Sequence, residues 1–371
     1  MFGMGARSAA LAGAGVADAV GYDATYVNPA GLVGATHRRL TLGYVYGGYR
    51  LRLDGAARPV ETTQGLLLGA ALPIPFGGVL RDRVAVGLGF YFPFGLVNRA
   101  RAPFPDTPRL ALLDSRTQVI SVLVAGAARI HERVSLGVGV LALAGLVGTI
   151  TLAPDASGRI VTSSEEQLTA SYAAIVGLRV RAANWAQLGA VFRGESKSTY
   201  DIAVKSQLGA TIPLELPTFR IAGTAQFDPL QIAVEAALVA RRWLTVEVGL
   251  TWKHWSAFGL PTANATPGAP AQAATGFHDT AVPRVAGEAT ARWARWRVHG
   301  RAGYFFEWSP AASSVLLDAD RHVLTAGAGV EWVGATTALQ LDLFGQWHHL
   351  QSNARVAGDL GVFGVAFGVD L

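Results

Sequence analysis

The chain has 371 residues, with 51 % hydrophobic and only 15 % charged types, against about 25 % charged in ordinary soluble domains. Its 44 glycines argue against a mainly helical protein, since each lowers helix stability by about 1 kcal/mol. With no cysteine, a disulfide framework and a thiolate zinc site are excluded, and the net charge of +5 comes without a Lys/Arg run dense enough for nucleic acid.

Residues 1–36 are small and polar, with almost no bulk before "DATYVNPAGL". This opening is read as mature protein, its apolar core being only Ala and Leu broken by Gly, so an export signal is expected to have been removed or to lie upstream of this numbering. Strands are then expected near 39–53, 65–74, 83–92, 117–129, 134–150, 165–182, 185–205, 231–240, 243–256, 283–293, 296–308, 322–332, 338–351 and 358–371. The dominant period is two. In "WRVHGRAGYFFEW", Trp296, Val298, Gly300, Ala302, Tyr304, Phe306 and Trp308 share one face, while Arg297, His299, Arg301 and Glu307 share the other. "SLGVGVLALAGLVGTITLA" is uncharged over the length of a membrane helix, but its glycines and β-branched residues make it one long strand.

Connection lengths give an independent test. Every second one is short ("HER", "AAN", "RR", "AR", "VGATT") apart from the longer "PFGGVLRD" between the second and third strands, and the alternates are long, notably 93–116, 206–230 and 257–282. Short turns at one end, long loops at the other, an even strand count and terminal aromatics are how outer-membrane barrels are built. The expected fold is therefore all-β, a 14-stranded antiparallel transmembrane barrel (37–371) with residues 1–36 folded back into the lumen as a plug. Asn28, Pro29 and Ala30 are either a rigid kink in that plug or a turn into the first strand. Arginine facing lipid at midplane costs roughly 2–4 kcal/mol, so Arg297 and Arg301 are expected to face a wet interior.

In this order the residues resemble the FadL family, outer-membrane channels of Gram-negative bacteria for long-chain fatty acids and other hydrophobic compounds. The resemblance rests on "GARSAALAGAGVADAVGYDATYVNPAGL", "GLGFYFPFGL", "LTWKHWSAF", and "RAGYFFEWSP" followed by "LLDADRHVLTAGAGV". It implies a hatch at Asn28, Pro29 and Ala30 and passive uptake by lateral diffusion through a gap in a kinked third strand. The kink would fall at Gly87, Gly89, Phe92, Pro93 and Phe94; Gly and Pro do occur where sheets bend or lose pairing. Implied surroundings are outer-membrane lipid and lipopolysaccharide, with the protein a monomer. The family usually has a sizeable, partly helical loop after its fifth strand; here "APDASGRIVTSSEE" is short and polar, and the usual terminal aromatic is replaced by Leu371.

For a fatty acid, Leu141, Leu143 and Val147 would form an inward apolar patch if Val138 and Val140 face lipid. Lys253, Arg297 and Arg301 are inward cations that either read a carboxylate or pair internally with Glu235, Glu247 and Glu288. Phe92, Phe94 and Phe104 serve either an interface belt or ligand entry. No GxSxG or HExxH occurs, His348 and His349 cannot point the same way on a strand, and no enzyme, cofactor or metal is expected. Aromatic hydrocarbons and steroid-like molecules remain alternative ligands, and a general porin or structural barrel the alternative function.

Overall fold

A computed structural model describes residues 4–94, 108–110, 112–113, 119–207, 218–259, 262–264, 274–312 and 314–371. Fourteen strands form one closed antiparallel barrel. They are β1 (Arg39–Leu53), β2 (Thr63–Pro73), β3 (Val84–Pro93), β4 (Ser121–His131), β5 (Val134–Pro154), β6 (Ile160–Ala183) and β7, split into β7a (Ala186–Arg193) and β7b (Ser196–Ser206). The second half comprises β8, split into β8a (Phe219–Asp228) and β8b (Gln231–Arg241), then β9 (Leu244–Lys253), β10 (Thr280–Trp293) and β11 (Trp296–Glu307). It ends with β12 (Arg321–Val333), β13 (Ala338–Leu350) and β14 (Val356–Asp370). β14 pairs β1 from Asp370 opposite Arg39 to Val356 opposite Leu53, which closes the ring.

Burial inverts the order of a soluble protein. Leu40, Leu42, Val138, Val140, Val248, Leu250, Phe363 and Phe367 are exposed on the outer face, while Glu235, Glu247, Arg301, Asp342 and Gln346 are buried inside. Such a surface is stable against hydrocarbon, and closure leaves no unpaired strand edge there. Among the described residues no helix is long and apolar enough to cross a membrane; the uncharged 135–153 run lies within β5.

The outer ends differ from the sequence expectation. β5 and β6 continue as a ladder out to Pro154 opposite Ile160, so the expected polar loop is a tight turn on a projecting hairpin. The expected loop 206–230 contains β8a. Past Arg193, β7 leaves the wall: β7b pairs in parallel with β5, from Tyr200 opposite Leu146 to Ser206 opposite Leu152. β8a follows it, antiparallel. The crossing lies at Ala144–Gly145, where Ser198 Oγ donates to the Ala144 carbonyl (2.5 Å). A Cβ on Gly145 would stand only 3.1 Å from the Thr199 carbonyl oxygen.

Residues 4–34 are almost wholly buried against the inner wall. They form two short α-helices, Ala6–Ala10 and Ala24–Val27, and 3-10 turns at Gly21–Asp23 and Pro29–Gly34. Wall glycines make room for them. An added Cβ would come within 2.0 Å of the Val16 carbonyl oxygen at Gly189, 2.3 Å of the Pro29 carbonyl carbon at Gly137 and 2.2 Å of the Tyr22 ring at Gly69.

Candidate functional site: a lumen pocket above the N-terminal segment

Asn28 fixes the underside of the site. Its Oδ1 accepts from the Ala30 N–H (3.1 Å), capping the Pro29–Gly34 turn, and Pro29 occupies the first turn position, where a missing N–H costs nothing. Its Nδ2 donates to the carbonyls of Val16 (2.6 Å) and, on β6, Leu178 (3.0 Å). The Asn-Pro-Ala stretch is thus both a local cap and a tie between segment and wall. Other ties run from Arg193 to the Val27 carbonyl (3.2 Å), Arg129 to Val33 (3.0 Å), Arg284 to Gly13 (2.6 Å) and Gln346 to Ala9 (2.8 Å).

Above this floor lies a lumen pocket of about 220 Å³. Ser8, Ala12, Gly13, Tyr26 and Val27 line it below; Arg193, Gln231, Lys253, Val282, Arg284, Phe305, Glu307 and Arg321 line its sides. β8a roofs it with Thr224 to Asp228, together with Trp255, Phe258 and Leu112. Phe227 stands 5.9 Å from the Trp255 ring and 5.2 Å from Phe258, and Phe258 stands 4.8 Å from Phe277. An aromatic roof therefore meets charged and polar side walls.

Of the expected ligand residues, Lys253 lines this pocket, and its Nζ is held by Glu307, which also pairs Arg321 (2.9 Å). Arg301 lies deeper, held at 2.5 Å by both Glu288 and Asp342. Arg297 pairs Glu331 at 3.1 Å toward the short-turn end. The three cations do not converge, because each is held by a carboxylate on another strand: Lys253 by Glu307 two strands away, Arg297 by Glu331 and Arg301 by Glu288 on adjacent strands. Leu141 and Leu143 are buried inside, and Leu141 borders a small void beside Tyr26, Ile175 and Arg193. Val147 shares their strand parity but sits exposed on the projecting hairpin, opposite Asp201. Sequence reasoning missed Arg193 and Phe227. Arg193 donates to segment carbonyls and to Gln231, and lies 5.1 Å over the Tyr26 ring.

The third strand is unbroken in this structure. β3 pairs β2 from Ala85 to Pro93 and β4 from Val84 to Tyr91, with no register shift. Gly87 and Gly89 face inward against Thr25, Leu32 and Met4; there the missing side chain provides space and does not break pairing. Phe92 is exposed and Phe94 packs against Tyr44 (5.9 Å); Phe104 lies outside the described residues. On the lipid side of the same wall is an apolar hollow of about 560 Å³, lined by Leu40, Leu42, Leu68, Ala70, Leu88, Phe90, Val122 and Phe367.

A closed barrel with an apolar exterior, a charged interior and a lumen segment under an aromatic pocket is an outer-membrane transport protein in architecture. The chain belongs to the family described as outer membrane protein transport protein (OMPP1/FadL/TodX), whose model matches residues 3–353, and this places it in the outer membrane of a Gram-negative bacterium. Among solved structures, a Pseudomonas aeruginosa FadL homologue is similar at 14 % identity and TM-score 0.65, over 98 % of this chain and 97 % of that one. The Ralstonia pickettii toluene transporter TbuX is similar at 15 % identity and TM-score 0.60, over 99 % and 98 %. The P. putida toluene transporter TodX follows at 13 % and 0.58, over 100 % and 99 %. These likenesses concern the fold. No curated protein matches.

Proposed function

We propose that this protein is a passive, non-enzymatic channel for small hydrophobic compounds, with residues 1–36 acting as a movable hatch beneath the lumen pocket. The supporting observation is that pocket's size and lining. An apolar cavity of about 150 Å³ holds one benzene, so about 220 Å³ roofed by Phe227, Trp255 and Phe258 fits one substituted ring better than a full acyl chain. Release is sideways, through the β2–β3–β4 wall, where Gly69, Gly87 and Gly89 leave it thin between the hatch and the outer apolar hollow. In the described conformation this exit is shut, so passage requires one edge of β3 to open. The barrel works as a monomer within lipid and lipopolysaccharide.

A second reading, long-chain fatty acid, draws support from Arg193 and Arg284. Both line the pocket and donate to segment carbonyls, Gln231 and Thr251, leaving them placed to receive a carboxylate. Uptake of labelled toluene and labelled oleate by cells carrying wild type or Phe227→Ala separates the readings. The aromatic reading expects toluene uptake to fall several-fold in the variant. Oleate uptake by wild type without toluene uptake would transfer the assignment to fatty acids, and uptake of neither above empty cells would contradict the pocket's role.

A further inference from the structure

We propose a divalent-cation site between the N-terminal segment and the barrel wall, formed by Asp18, Glu235 on β8b and Glu247 on β9. One carboxylate oxygen from each lies within 4.8 Å of the other two. Oxygen ligands of Ca²⁺ stand 2.3–2.6 Å from the ion, so donors on opposite sides of one ion are about 4.6–5.2 Å apart, and a 4.8 Å cluster can share one ion.

The second observation is that the site's acids lack sufficient partners. Glu247 is fully buried, its Oε2 has no hydrogen-bond partner among the described residues, and its Oε1 has only Arg7 at 3.5 Å. Glu235 is 5 % exposed; its Oε1 accepts the N–H groups of Gly15 (2.9 Å) and Ala17 (3.0 Å), and its Oε2 has no such partner. A buried carboxylate oxygen without a partner is costly, and two belong to the acids of this cluster.

Arg7 supplies only part of the compensation. It is shared among Asp18 (2.9 Å), Glu288 (3.1 Å) and Glu247, while Arg301 is committed to Glu288 and Asp342. Asp18, Glu235, Glu247, Glu288 and Asp342 thus face Arg7, Arg301 and the nearby Arg284, an excess of two negative charges. Arg179, which donates to the Ala19 carbonyl (3.3 Å), reduces the excess without ending it. A hard divalent ion suits three carboxylates and no nitrogen or sulfur donor. It would pin the segment at Asp18 to two adjacent wall strands, independently of which compound the channel carries.

The test is calorimetric titration of the full chain, folded in detergent and freed of metal by chelation, with Ca²⁺ alone and Mg²⁺ alone. About one equivalent of Ca²⁺ is expected, with affinity at least in the range of extracellular Ca²⁺ modules, on the order of 10⁻⁴–10⁻³ M. Glu247→Gln and Asp18→Asn should each weaken it about tenfold or more, since ligand charge count sets affinity, while both still run as folded barrels on unheated gels. Asp18 lies off the wall, so its variant keeps the test valid if Glu247→Gln fails to assemble. Absence of binding by wild type, or binding unchanged in both variants, overturns the site and leaves Arg7 and protons to neutralise the acids.

Discussion

Asn28 carries more of the local organisation than its size suggests, because one amide both caps a turn and ties segment to wall. Replacing it with alanine removes a cap worth about 1 kcal/mol and two further bonds at about 0.5–1.5 kcal/mol each. Asn28→Ala is therefore expected to loosen the seating of residues 4–34 by about 2–4 kcal/mol, leaving the wall ladders intact. Amide hydrogen exchange should then quicken in the N-terminal segment alone; equal quickening in β5 and β6 would mean that segment and wall are one cooperative unit. The two sequence readings of Asn-Pro-Ala, kink or turn, merge here: it is a capped turn inside the lumen. What the sequence could not convey is its wall partner, since the Leu178 carbonyl lies 150 residues away.

At the scale of elements, alternation located the strands and their faces but not their heights. Leu141 and Val147 share a parity, yet one is buried in the lumen and the other stands on the projecting hairpin. β8a was legible in "FRIAGTAQF", whose Phe219, Ile221, Gly223, Ala225 and Phe227 alternate, but Pro213, Pro217 and Pro229 around it read as loop. Gly87 and Gly89 of β3 read as pairing breakers, whereas both stay paired, and the close approach of Thr25 and Leu32 requires glycine at Gly87. The loop before β12 carries a pH dependence. Burial pushes the Asp318 carboxyl up to about 6, against the opposing pull of Arg321. A raised carboxyl pKa means that the folded state binds the extra proton. Its contribution is fully favourable below the ordinary pKa near 4 and is lost as pH rises through about 6. About two pH units correspond to roughly 3 kcal/mol. Asp318→Asn should therefore gain stability over wild type progressively between pH 4 and 7 in thermal unfolding, and a difference that stays flat across that range would contradict a neutral buried Asp318.

For the whole molecule, the low charge, period-two patterning and alternating connection lengths made the barrel and its strand number legible. The pocket was less so, because it is assembled from the N-terminal segment, β7a, both parts of β8, β9 to β13 and the outer aromatic cluster, whose proximity only closure creates. Lys253, Arg297 and Arg301 each pair with a carboxylate on another strand, and those partners depend on a register that alternation does not supply. The proposed hatch, the pocket and the thin third-strand wall support one proposal: a hydrophobic compound enters the lumen and leaves sideways. The native chain has no cysteine, so a single engineered pair can lock that wall. Phe90 on β3 and Val122 on β4 are direct cross-strand neighbours, and paired strand positions have Cα separations of about 4.5–5.5 Å, within disulfide range. The most direct measurement is toluene uptake by Phe90→Cys/Val122→Cys barrels under oxidising and then reducing conditions. Sideways release predicts that uptake falls to the level of empty cells when oxidised and returns on reduction. Equal uptake in both states, with the disulfide shown to form, would contradict it.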